Sequence, residues 1–211
     1  MLTLWGRMTS INVQKVMWVL AESDLSCKQI DAGGAFGGLD AAAYRAMNPN
    51  GRVPTLKDGD LVLWESNAIC RYLINTYGGP LRLENARLEA RADMWMEWFQ
   101  NGIYAPFIEM FYQTVRLPTA QRDPKVLEQA LDKLNAQLSI AETVLADSRY
   151  LLGDRLTLAD IPLGASLFRY FTVPIDRPDF PNLSAYYKRL VKRTAYTDCV
   201  MIDFESLRAP N

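Results

Sequence analysis

The 211-residue chain has no histidine. A serine–histidine–acid relay, a histidine-paired cysteine nucleophile and the usual histidine-bearing catalytic zinc sites are therefore excluded at the outset. Cysteine is scarce: Cys27, Cys70 and Cys199 are widely spaced and form no C-x-x-C pair. Neither a thioredoxin-like dithiol nor a disulfide framework is supported, and buried structural thiols are the plainer reading. Runs of one charge sign are missing, and 23 Lys and Arg face 24 Asp and Glu. Without the basic footprint that phosphate neutralisation needs, no nucleic-acid partner is expected. The first ten residues, MLTLWGRMTS, lack the charged and apolar regions of a signal peptide, and the apolar run VMWVLA is far too short to span a bilayer. A cytosolic protein without a membrane role is expected.

What remains is ordinary globular material, 49% hydrophobic and 22% charged, enough for a buried core in one domain or two small ones. Residues 2–5 read as a strand, and Val13, Val16, Met17 and Leu20 recur at the spacing of an amphipathic helix ending near Ser23. A second strand fits 27–31, followed by the loop GGAFGGLD, read as mobile, and a short helix in AAAYRAM that stops before Asn48-Pro49. Asp58-Gly59 between two strand-like segments, 55–57 and 61–64, signals a hairpin. A third helix over 65–77 ends at Gly78-Gly79-Pro80. The first eighty residues thus read β-α-β-α-β-β-α.

Beyond Pro80 the strand signals vanish, so a boundary is expected at 78–86, with an α/β domain over 1–80 and an all-helical domain over 86–211. A long aromatic-rich helix is expected over 85–114, kinked by Pro106. Leu127, Leu131, Leu134, Leu138, Ala141 and Leu145 form one apolar seam. In LTLADIPLG, Thr157 and Asp160 stand three apart, a capping-box spacing whose expected role is folding.

Three stretches carry candidate chemistry. In GRMTSINVQKVMW, Thr9, Ser10 and Asn12 stand at the start of the first helix, where a hydroxyl either caps the helix or donates to a bound group. In NPNGRVPTL, Pro54 opens a strand. Either this is a plain turn, or a cis Val53-Pro54 bond leaves the Val53 backbone free to pair with an extended peptide. In WESNAI, Glu65 and Ser66 begin the third helix. They either serve the helix end or together suit an α-amino-acid head group, whose carboxylate takes the helix amides and whose ammonium takes Glu65. GGAFGG has neither the spacing nor the lysine of a phosphate-binding loop.

In this order and spacing, S-x-N-x-x-K-V, NPNGRVP, ESNAI and LTLADI resemble a cytosolic glutathione transferase over nearly the whole chain. The resemblance implies a thioredoxin-like amino-terminal domain, an all-helical carboxy-terminal domain, a homodimer, and glutathione as co-substrate with no separate cofactor or metal. By position, Ser10 matches the activating serine of theta-, delta- and phi-like classes, with Asn12 the runner-up. Val53 and Pro54 match the residues that meet the cysteinyl moiety, and Glu65 and Ser66 those that hold the γ-glutamyl end. Arg52 stands where some classes place a base for the glycyl carboxylate, and Asn67 replaces an arginine of others. Tyr104, Phe107, Phe111 and Tyr112 offer aromatic surface for a small electrophilic second substrate. The function implied is detoxifying conjugation of glutathione to that electrophile. A glutathione- or partner-binding module of the same fold with little turnover is the alternative.

Overall fold

A computed structural model describes residues 1–210. The described residues divide into two compact units, Met1–Arg82 with Ala195–Ile202, and Leu83–Thr194 with 203–210.

The first unit is built on four strands, β1 (Leu2–Trp5), β2 (Cys27–Ile30), β3 (Thr55–Asp58) and β4 (Leu61–Trp64), in the order β2-β1-β3-β4. Leu2 and Leu4 alternate inward from β1, the period-two pattern of a half-buried strand. β1 runs parallel to β2 and antiparallel to β3, with Leu4 opposite Gln29 on one side and Leu56 on the other. The β3–β4 connection is Gly59-Asp60, one residue later than the Asp58-Gly59 pair suggests. Asp58 pairs with Leu61, and Gly59 supplies the positive φ of 60° at the first turn position.

Helix α1 (Ile11–Glu22) links the parallel strands, α2 (Ala42–Met47) precedes the Pro54 turn, and α3 (Ser66–Tyr77) follows the hairpin. α1 and α3 pack on each other, and Val13, Val16, Val19 and Leu20 of the first and Ile69, Cys70, Leu73 and Ile74 of the second are all buried. Gly78, at φ 79°, ends α3 by donating its N–H to the Ile74 carbonyl at 2.9 Å.

The GGAFGG stretch is a hydrogen-bonded turn, not an open loop. Gly33 donates to the Gly37 carbonyl at 2.7 Å, and the Gly34 backbone lies so close over the Arg7 side chain that a Cβ there would sit 3.0 Å from Arg7 Cδ and Nε. Glycine is needed for that approach and for the positive φ of 60°.

The segment Ala195–Ile202 corrects the expectation that everything after 86 belongs to the helical domain. Tyr196, in a short helix at Thr194–Cys199, meets Trp18 of α1 edge to face at 4.9 Å, and both rings are wholly buried. Tyr196→Ala is expected to destabilise the protein by about 3–4 kcal/mol in urea unfolding, from the emptied ring volume and the lost ring contact. A cost under about 1 kcal/mol would mean the returning segment is not part of that core.

The second unit is helical among the described residues, apart from an isolated bridge between Tyr150 and Gly153. The long helix expected over 85–114 is divided. α4 (Ala86–Trp98) passes through a π-helical turn (Phe99–Ile103) into α5 (Tyr104–Phe111) and a second π-helical turn (Tyr112–Arg116). Pro106 has no N–H for the Gly102 carbonyl, so the ladder reorganises one turn before it. Pro106 then stands third in α5, where its missing donor costs little.

α6 (Pro124–Ala146) starts cleanly, with the Asp123 carboxylate accepting from the Lys125 N–H at 2.9 Å and proline first in the helix. Its seam buries Ala130, Leu134, Leu138, Ala141 and Leu145, and the helix packs against α5 and α8 (Pro181–Leu190). α7 (Asp160–Thr172) packs against α4, α5 and α8. Among the described residues no helix is long and apolar enough to cross a membrane.

Candidate functional site

Close packing brings the predicted stretches of the first unit together. Gly6, at the end of β1, lies between Val13 of α1 and the Pro54 turn; a Cβ there would fall 2.4 Å from Val13 Cγ2 and 3.3 Å from Val53 Cβ. No side chain fits, so the loop before α1 abuts the turn. The start of α3 joins the same region, because the Ser66 hydroxyl donates to Asn12 Oδ1 at 3.2 Å.

Ser10 occupies the N-cap position of α1, with extended φ and ψ of −92° and 121°. Its backbone is used: the N–H donates to the Arg7 carbonyl at 3.0 Å, and its carbonyl accepts from Val13 and Gln14. Its side chain makes no capping bond. The hydroxyl is therefore half-exposed at the positive end of a twelve-residue helix without serving that helix. Asn12 is differently placed, since its carbonyl oxygen is engaged by Ser66. Thr9 is half-buried in the turn closed by the Ser10 to Arg7 bond.

The Val53-Pro54 peptide bond is cis. Three buried polar residues, Tyr44, Asn48 and Thr55, shape this turn, and the sequence reading singled out none of them as site residues. Tyr44 donates its hydroxyl to the Arg52 carbonyl at 2.6 Å, and Asn48 Nδ2 donates to the same carbonyl at 2.9 Å and to Thr55 Oγ1 at 3.1 Å. Burial pushes the Tyr44 phenol up, with Thr55 and Asn48 opposing. The signal for Asn48 lay in NPNG, where a short polar side chain readily bonds nearby backbone; here it also accepts from the Asn50 N–H at 3.1 Å. Because its carbonyl is pinned, Arg52 is held by its backbone while its side chain is exposed.

Glu65 precedes α3 with a positive φ of 73°, an unusual conformation for a residue with a Cβ. It is exposed, and its side chain does not cap the helix. Ser66 and Asn67 are buried at the first two helical positions. The first N–H groups of α3 point out of the helix, the arrangement that favours an anion.

The helical unit corrects part of the aromatic set. Phe107 and Phe111 are 1% and 2% exposed and lie in its core, where Phe111 packs on Phe204 at 5.4 Å and under the Arg169 guanidinium at 4.9 Å. Spaced four apart on α5 with Met110 between, they form its apolar stripe, and burial outweighs any surface role. Tyr104 is half-buried and Tyr112 is exposed, one face of its ring covered by Arg116.

A mixed four-stranded sheet with a cis-proline turn before β3, followed by a helical unit, is a thioredoxin-like domain joined to a helical one. The chain belongs to the glutathione S-transferase family, a family of enzymes: the models of its N-terminal and C-terminal domains match residues 1–75 and 102–194. It is 37% identical over 205 residues to glutathione S-transferase GstB of Escherichia coli, covering 96% of this chain and 99% of that protein. It is 34% identical over 200 residues to a probable glutathione S-transferase GSTF2 of Oryza sativa, covering 90% and 91%. Among solved structures it is similar to the theta-class enzyme of the citrus canker pathogen Xanthomonas axonopodis pv. citri, crystallised with glutathione bound. The TM-score is 0.92 and the identity 44%, over 96% of this chain and 98% of that one.

Proposed function

We infer that the first unit binds glutathione and that Ser10 stabilises its thiolate for transfer to a small electrophile. The observation that carries this reading is the Ser10 hydroxyl, placed at the start of α1 and not spent on capping. Glutathione would lie extended along the Pro54 turn, its cysteinyl part pairing with the Val53 backbone. Its γ-glutamyl carboxylate would take the first amides of α3 with Ser66 and Asn67 beneath, its ammonium would take Glu65, and its glycyl carboxylate the exposed Arg52. A homodimer in the cytosol completes the reading, supported by the family to which the chain belongs.

The test is conjugation of glutathione to 1-chloro-2,4-dinitrobenzene by the wild type, Ser10→Ala and Asn12→Ala, beside calorimetric binding of glutathione alone. A wild type that binds glutathione without accelerating conjugation supports instead a binding module for that substrate class. If Asn12→Ala loses the rate and Ser10→Ala keeps it, the thiolate donor is Asn12.

Glu65 supplies an independent check, because backbone at positive φ costs on the order of 1–3 kcal/mol. Glu65→Gly is expected to raise stability by about 1 kcal/mol, the relief being partly offset by a more flexible unfolded chain. It is also expected to weaken glutathione binding by roughly tenfold or more through loss of the ammonium partner. Unchanged affinity would remove Glu65 from the site.

A further inference from the structure

Lys15 lies on α1 with no solvent exposure. Its Nζ is 3.5 Å from Ser66 Oγ and 3.5 Å from Asn67 Oδ1, at the first turn of α3. Lysine is seldom fully buried, and an ammonium loses several kcal/mol of hydration that an aliphatic side chain of similar volume would not. Its sequence signal is a charge placed inside an apolar face, four residues before Val19 and one before Val16.

The hydrogen-bond chemistry gives the contact a direction. An ammonium only donates, so Lys15 donates to Ser66 Oγ, and the Ser66 hydroxyl donates its own hydrogen bond to Asn12 Oδ1 at 3.2 Å. Lys15 also draws Asn67 Oδ1 inward. The charge extends into the space between α1 and α3. Burial pushes the neighbouring Cys70 thiol up to about 12, and the nearby Lys15 charge is a smaller opposing effect. A positive charge thus lies under the end of α3, where the helix dipole is itself positive.

We propose that Lys15 is a positioning residue of the glutathione site: its ammonium, held under the first turn of α3, orients Ser66 and supplies the charge that favours the γ-glutamyl α-carboxylate. The proposal rests on the glutathione reading above and deepens it. It also gives Asn12 a structural task, as the acceptor at the end of the Lys15–Ser66 chain.

The test compares calorimetric affinities for glutathione and for 4-aminobutanoyl-cysteinyl-glycine, which lacks only the α-carboxylate, in the wild type, Lys15→Met and Lys15→Gln. The wild type is expected to prefer glutathione. In Lys15→Met that preference should shrink about tenfold, through weaker glutathione binding and unchanged analogue binding, with kcat at saturating glutathione kept. Lys15→Gln, which retains a donor without the charge, should lose the same preference, and it decides the matter if Lys15→Met does not fold. Either variant keeping the wild-type preference, or weakening both ligands equally, overturns the role of Lys15. A wild type that binds neither peptide overturns the glutathione reading, and this proposal with it.

Discussion

Replacing Ser10 by alanine is expected to raise the pKa of the bound glutathione thiol by about two units, toward the ~8.5 of an unassisted cysteine thiol. Two units correspond to about 2.7 kcal/mol, within reach of one hydroxyl hydrogen bond to a thiolate, about 1.5–3 kcal/mol, helped by the amides at the start of α1. The loss in rate should be smaller than the hundredfold change in the ionisation constant. A more basic thiolate is also the better nucleophile, with a Brønsted slope of about 0.4–0.5, which returns roughly eightfold over two units. At pH 6.5 the thiolate fraction falls about fiftyfold, so the conjugation rate should drop roughly sixfold, or further if the hydrogen bond also positions the sulfur. By pH 9 the ionisation deficit should shrink to about 1.3-fold, because roughly three-quarters of the thiol then ionises unaided. The ultraviolet signature of bound thiolate, titrated against pH, measures the pKa directly. Asn12→Ala should leave that titration in place, because the proposed thiolate donor is the Ser10 hydroxyl and Asn12 serves as the acceptor for Ser66. A Ser10→Ala titration matching the wild type would remove Ser10 from thiolate stabilisation, whatever happened to the rate.

The parts of this site legible in the sequence are those made by local rules. Ser10 before an apolar helical stripe, a proline at a strand start, and Glu65-Ser66 after a two-residue hairpin each report backbone conformation within a few residues. The order of elements in the first unit was readable for the same reason, since each strand and helix carries its own period. Long-range contacts were not. Nothing near Lys15 announces Ser66, fifty-one residues away, and Tyr44 reaches Arg52 only because α2 and the turn fold onto each other. Periodicity placed Phe107 and Phe111 on a helix but could not say which face turns inward. The return of Ala195–Ile202 to the first unit depends on Trp18, far away in sequence, so a boundary drawn from local composition could not show it.

Asp160 is the position where a single truncation should cost the most stability. The spacing Thr157-x-x-Asp160 suggests a reciprocal capping box, but the structure makes half of one. The carboxylate reaches back to the Thr157 N–H at 2.8 Å, while the Thr157 hydroxyl donates to that same carboxylate at 3.1 Å. The other oxygen accepts from the Leu151 N–H at 2.9 Å and the Tyr186 hydroxyl at 3.2 Å, and the residue is wholly buried. Asp160→Ala takes the acceptor from the Leu151 N–H and from the Thr157 N–H and hydroxyl in the core of the second unit, and the nearer of two Asp160 acceptors from the Tyr186 hydroxyl, and a loss of about 3–5 kcal/mol in unfolding free energy is expected. Its pH dependence runs against the usual expectation for an aspartate. Burial raises the Asp160 pKa to about 6, outweighing the donors from Leu151, Thr157 and Tyr186 that lower it. The folded state therefore binds a proton more readily than the unfolded chain, whose aspartate titrates near ~3.9. The stability linked to this group is fully present below about pH 4 and is lost as the pH rises through about 6. The cost of Asp160→Ala should thus be about 1 kcal/mol larger at pH 5 than at pH 7.5. A cost that instead grows with pH would show that the four hydrogen bonds outweigh burial and hold the carboxylate ionised.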